Sequence, residues 1–175
     1  YFGDGVKTLS VTDRATIANM GTETGCTTSI FPSDEITKAF LEAQGRGGDW
    51  IELIPDDNAQ YDEIIEIDLS TLEPMVALPH SPGNVKKVRE VGKIKVDQVA
   101  IGSCTNSSLR DLKVVANTLK GKTVAENLHV TISPGSRQVV EHLVRSGEYL
   151  DIVRAGARIM ENTCGPCIGM GCAPS

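Results

Sequence analysis

Ile36, Ala39, Phe40 and Ala43 recur at i, i+3, i+4 and i+7, the apolar stripe of an amphipathic helix. Ser33 or Asp34 is placed to cap its start, and Gly45 to close it. An earlier helix is expected where Thr12 or Asp13 precedes the run 14–20. Between them, the β-branched run 27–31 ends at Pro32 and reads as a short strand. GRGGDW (45–50) forms a flexible turn, and EIIEIDL (63–69) reads as a second strand. The stretch 70–85 has three prolines and no periodicity, the pattern of an ordered linker.

The C-terminal half is more regular. DQVAIGS (97–103) predicts a buried strand, followed by a turn at 104–106. Leu109, Leu112, Ala116 and Leu119 then stripe a helix. LHVTIS (128–133) alternates as a strand, and Val139, Val140, Leu143 and Val144 mark another helix. A third helix is expected over 148–156 and a last strand at ARIM, 157–160. Strand, helix, strand, helix, helix, strand implies a parallel layer with right-handed crossovers. The fold class expected is α/β, as two layered units with mainly parallel sheets. Their bounds are drawn at 1–72 and 93–175, with 73–92 as the linker.

Composition narrows the function classes. Of 175 residues, 40% are hydrophobic and 23% charged, an ordinary globular balance. A net charge of −6 argues against nucleic acid or an anionic membrane as partner. No apolar run approaches the ~20 residues of a membrane span, and no signal peptide is visible. Five cysteines cannot all pair, so free or metal-bound thiols in a reducing, cytoplasmic compartment are expected. The chain opens on Tyr1 and stops just after a dense Cys/Gly/Pro cluster, which reads as a piece of a longer protein.

That cluster holds Cys164-Gly165-Pro166-Cys167, the tetrapeptide of thioredoxin-like dithiols and also a pair of soft ligands at metal-site spacing. A redox dithiol opens a long helix with a fold beyond it; here eight residues follow Cys167, among them two glycines and a proline. Cys104 follows a predicted strand, where α/β proteins gather functional groups. Taken alone it is a small buried hydrophobe, but its surroundings, GSCTNSS, are useless for a core. Two strand ends can thus bring Cys104, Cys164 and Cys167 together, with free N–H groups at the following helix start favouring an anionic cluster. Three thiolates suit zinc or an iron–sulfur cluster. His80, in a proline-rich loop, is better placed to be functional than His129 in a strand or His142 on a helix. Cys172 is a possible fourth ligand, and Cys26 reads as a core residue.

The segments VTDRATIANMGTETGCTTSIFPSDE, LEPMVALPHSPGNV, IGSCTNSS, ISPGSRQVV and NTCGPCIGMG, in this order, resemble the conserved blocks of the aconitase family of iron–sulfur hydro-lyases. The run CGPCIG is more similar to aconitases and homoaconitases than to the isopropylmalate isomerase branch. The resemblance implies domain 2 and part of domain 3 of that fold. It implies a 4Fe–4S cluster held by Cys104, Cys164 and Cys167, with one iron left open as a Lewis acid for substrate. It implies dehydration of a small hydroxy-tricarboxylate and rehydration at the neighbouring carbon, as between citrate and isocitrate in the tricarboxylic acid cycle. Glu23 matches the family's active-site glutamate, and Asn19 a polar neighbour of the site. Asn106 and Ser107 could hydrogen-bond the cluster or the substrate. The partners implied are the remaining domains of the same chain, in a monomer without nucleic acid or membrane. The setting implied is the cytoplasm, or the mitochondrial matrix in a eukaryote. The family's His/Asp acid–base pairs, its arginine-rich segment and its serine base are not in this sequence, so residues 1–175 alone are expected to be inactive. A non-catalytic metal-binding module using Cys172 as fourth ligand is the alternative.

Overall fold

Ser10 opens the first helix, α1 (Val11–Met20), by a reciprocal cap: its side chain accepts from the Asp13 N–H, and Asp13 accepts from the Ser10 N–H. The helix therefore starts earlier than the Thr12 or Asp13 cap expected for it. Asp34 caps α2 (Glu35–Ala43) by accepting from the N–H groups of Ile36 and Thr37. In this computed structural model, which describes residues 1–172, both helices belong to a first unit, Tyr1–Lys93.

What holds this unit is a buried arginine more than an apolar core. Val6 is its buried hydrophobic side chain, and Arg14, on α1, is 4% exposed. The Arg14 guanidinium donates to the carbonyls of Val6 (3.0 Å), Leu9 (3.2 Å) and Pro32 (3.1 Å) and to both carboxylate oxygens of Asp34 (2.9 and 2.8 Å). That single fork ties the segment before α1 to the cap of α2. Arg14 and the cap hydrogen bonds hold the Asp34 carboxyl down at about 2, against 3.8 ordinarily. Because the folded value is depressed, the stabilisation is complete above the ordinary value and fades as pH falls from about 4 toward about 2. About 1–2 kcal/mol should be lost over that window. An acid titration of unfolding free energy should show it, and Asp34→Asn should remove that step.

Two strands expected in this unit do not form. Residues 27–31 have no strand partner; instead Ser33 makes an isolated antiparallel bridge with Leu53. Residues 63–68 are irregular and lead into a 3₁₀ turn, Leu69–Thr71. A strand needs a neighbour for its N–H and C=O groups, and none pairs with this segment among the described residues. Ile64, Ile65 and Ile67 stand 65%, 77% and 64% exposed. Residues 73–92, read as a linker, contain an antiparallel pair, β1 (Met75–Ala77) with β2 (Val85–Lys87).

The second unit, from Ile94 onward, is a three-stranded parallel sheet with three helices. Strands β3 (Gln98–Gly102), β4 (His129–Ser133) and β5 (Arg158–Ile159) lie in that order, with Ile101 opposite Ile132 and Ile132 opposite Ile159. Helix α3 (Leu109–Leu119) connects β3 to β4; α4 (Arg137–Ser146) and α5 (Glu148–Arg154) connect β4 to β5. Leu112, Ala116, Val130, Ile132, Leu143, Ile152 and Ala157 form one buried cluster. This is the βαβ layer expected from the sequence, and the chain is α/β.

Ser108 caps α3 in a second reciprocal box with Asp111. The helix start expected to favour an anionic cluster is therefore partly occupied by Asp111. Ser108→Ala should cost about 1 kcal/mol in a urea unfolding measurement.

A candidate thiol centre at the sheet edge

The backbone turns sharply where β3 ends. Gly102 has φ +90, Ser103 φ +98 and Asn106 φ +54, three positive values within five residues. Gly102 is required there: a Cβ would lie 2.3 Å from the Ser133 carbonyl oxygen and 2.6 Å from the Ser107 Cβ. The Ser103 N–H donates to that same Ser133 carbonyl at 3.0 Å, extending the ladder one residue past β3. The Ser107 hydroxyl donates to the Ser103 carbonyl, and the Ser107 carbonyl accepts from the Gly135 N–H at 3.1 Å. The turn is thus clamped from both sides before Cys104 emerges, exposed, at its tip.

The other cysteines follow β5. The Met160 N–H donates to Ile132 at 2.8 Å, and Asn162 Nδ2 to the Pro134 carbonyl at 3.0 Å, which moors the loop to the end of β4. Pro166–Ile168 make a 3₁₀ turn, closed by Gly169 in the left-handed region (φ +79). The turn brings the Cys167 sulfur within 3.4 Å of the Ser103 hydroxyl. The same hydroxyl donates toward Cys104 Sγ at 3.9 Å. Hydrogen bonding to Ser103, and then to the Gly165 backbone, holds the Cys167 thiol below its ordinary value. Gly102, Ser103, Thr131, Ser133, Pro166 and Cys167 line a cavity of about 160 Å³ between these strand ends.

Cys104 and Cys167 therefore share the Ser103 hydroxyl. Cys164 is exposed, on the same loop as Cys167. Among the described residues, no three His, Cys, Asp or Glu side chains converge into a closed metal-holding group. The donor chemistry nevertheless fits a thiophilic group: soft, exposed thiols, two of them meeting at one hydroxyl beside a cavity. Cys172 is held differently. Its carbonyl accepts from the Gln98 side chain and its sulfur from Arg158 Nη1 at 3.3 Å. Gln98 opens β3, whereas Cys104 follows its end, roughly 13 Å of strand away at ~3.3 Å per residue.

Asn106 is exposed on the turn, while Ser107, 1% exposed, has its hydroxyl engaged by the Ser103 carbonyl. In the first unit, Asn19 lies exposed in the last turn of α1, and Glu23 lies exposed in the 3₁₀ turn Gly21–Thr24. Cys26, expected in a core, is exposed and 3.2 Å from Thr24 Oγ1. Sequence reasoning missed Ser103, although a serine beside a cysteine at a strand end signals it. It also missed Arg14, the one cation inside an otherwise uncharged helical stretch after Asp13.

A profile of the aconitase family (aconitate hydratase) matches residues 1–93 and 84–174. The chain belongs to the aconitase family. A relative in Caldanaerobacter subterraneus subsp. tengcongensis, 3-isopropylmalate dehydratase large subunit, is 41% identical over 168 residues, 96% of this chain and 40% of its own length. One of the same name in Clostridioides difficile is 43% identical over 173 residues, 97% of this chain and 41% of its own. A third, in Clostridium botulinum, is 40% identical over 169 residues, 97% of this chain. The chain spans about 40% of the length of these family members. Their name is that of the isopropylmalate branch, where CGPCIG pointed to aconitases and homoaconitases.

Proposed function

We propose that this chain is part of a hydro-lyase that dehydrates a hydroxy-acid and rehydrates it at the adjacent carbon. The observation that carries this reading is the meeting of Cys104 and Cys167 at the Ser103 hydroxyl, with Ser103 and Cys167 64 positions apart in sequence, in an aconitase-family chain. Cys104, Cys164 and Cys167 would hold a 4Fe–4S cluster. When bound, such a cluster supplies Lewis-acid character that eases loss of a hydroxyl.

The chain's own residues have separable tasks. Ligation requires thiolates, and Ser103 biases Cys167 toward that form. Ser107 fixes the Ser103 carbonyl and so acts on the shape of the turn, behind the thiols. Asn106, exposed beside Cys104, offers an amide to a substrate carboxylate. Within the first unit, exposed Glu23 and Asn19 match the family's active-site glutamate and its polar neighbour, a carboxylate and an amide suited to acid–base work and hydrogen bonding. The balance is one proton from carbon and one hydroxyl from its neighbour, leaving as water.

The substrate class is a substituted hydroxysuccinate, the core shared by isopropylmalate and isocitrate. The relatives' name supports an alkyl third substituent, hence 3-isopropylmalate. The CGPCIG run supports a second reading, a third carboxylate, hence citrate and isocitrate. The words "large subunit" in the relatives' names support a further subunit in place of the monomer expected. The exposed Ile51, Leu53, Ile54, Ile64, Ile65 and Ile67 support additional polypeptide against the first unit. No helix among the described residues is long and apolar enough to cross a membrane. An odd count of five cysteines supports a reducing cytoplasm.

Full-length protein, reconstituted anaerobically with iron and sulfide, should interconvert the isomers of one of these two acids. Turnover of neither would sink the hydro-lyase reading. Cys172→Ala should leave the cluster's electron paramagnetic resonance signal unchanged; its loss would favour a module with Cys172 as a ligand.

A further inference from the structure

Ser103 is an unusual residue for its backbone. A φ of +98 lies where glycine is at ease and a Cβ is strained, and Gly102 before it is already positive. The side chain retained at this point is 8% exposed, and its one polar atom lies 3.4 Å from Cys167 Sγ and 3.9 Å from Cys104 Sγ. The main chain beneath it is immobilised through the Ser133 carbonyl on one side and the Ser107 hydroxyl on the other. A hydroxyl on so rigid a base defines a fixed point for both sulfurs.

We propose that Ser103 is a positioning residue that registers the two halves of the thiol centre, the β3 turn and the loop after β5, before any metal binds. The inference rests on the thiol-centre reading above. Cys104 is carried by the turn and Cys167 by a loop moored to β4, so no continuous element fixes their separation. Their shared contact with Ser103 does. Its hydroxyl proton points to one sulfur at a time, while its lone pairs can accept from the other thiol. The pair is thereby held together in the metal-free chain, which lowers the ordering needed on ligation. A group behind the ligands that orients them typically changes metal affinity by about 10–100-fold when removed.

The test uses full-length, reduced, iron-free protein titrated with Cd²⁺ and read by thiolate-to-cadmium charge-transfer absorption. Ser103→Ala and Ser103→Gly should each weaken Cd²⁺ binding by about tenfold or more. Ser103→Gly should keep or raise the thermal midpoint, since glycine relieves the positive φ. Weaker binding with intact stability is the signature of positioning. Binding within about twofold of wild type in both variants, against that tenfold expectation, overturns the proposal. So does a Gly variant whose thermal midpoint falls together with its affinity. If Cys104→Ala and Cys167→Ala leave Cd²⁺ binding unchanged, the thiol centre itself fails, an outcome distinct from failure of Ser103 alone.

Discussion

Arg14→Leu should destabilise the protein by about 3–5 kcal/mol, the range for removing one partner of a buried ion pair. Leucine supplies apolar volume but takes the guanidinium away from the Asp34 carboxylate and from the carbonyls of Val6, Leu9 and Pro32. The first unit has little buried apolar surface to absorb that loss, since Val6 is its one buried hydrophobic side chain among the described residues. Arg14→Lys should recover only part of the difference, because one ammonium cannot serve four acceptors in a planar fork. Urea unfolding gives the magnitude, and amide exchange locates it: protection should drop in α1 and α2 and persist in β3 and β4. A change below about 1 kcal/mol would mean the arginine is replaceable by packing, as some buried ion pairs are.

Gly102→Ala should be nearly as damaging, by about 3 kcal/mol or more, through two additive mechanisms. One is conformational, a Cβ at φ +90. The other is steric, because the new carbon would overlap the Ser133 carbonyl oxygen and the Ser107 Cβ. Neither neighbour can yield: Ser133 O anchors the Ser103 N–H, and Ser107 is 1% exposed. Gly156 is the control, since it has the same φ of +90 but a Cβ there would find Val124 at 3.9 Å. Gly156→Ala should therefore show the conformational part alone, about 1 kcal/mol. The difference between the two melting curves isolates the overlap, and equal losses would refute the steric argument. Gly102→Ala should also weaken Cd²⁺ binding, because Ser103 and Cys104 ride on the same turn.

The helices of both units were legible because their signals are local. The stripe of Leu112 and Ala116, and the side chain of Asp34 at the start of α2, act within one or two turns of the chain. The alternation 128–133 was read correctly because β4 is buried on the inside of a sheet that the chain itself completes. EIIEIDL carries an equally clear strand pattern yet forms none, since pairing depends on a second segment. The same distinction runs through the thiol centre. Cysteine spacing alone could place Cys164 and Cys167 on one loop and Cys104 at a strand end.

By itself, then, the sequence determined the helices, the parallel βαβ layer of the second unit and the family, and it named the thiols from which a centre is proposed. Tertiary structure decided the rest. It chose Ser103 as the point where Cys104 and Cys167 meet, tied Cys172 to Arg158 and Gln98, and made Arg14 the tie of the first unit. The reason is physical: helix periodicity and capping act over a few residues. A hydroxyl's distance to two sulfurs, or a guanidinium's hydrogen bonds to three carbonyls and a carboxylate, is set only when distant segments pack.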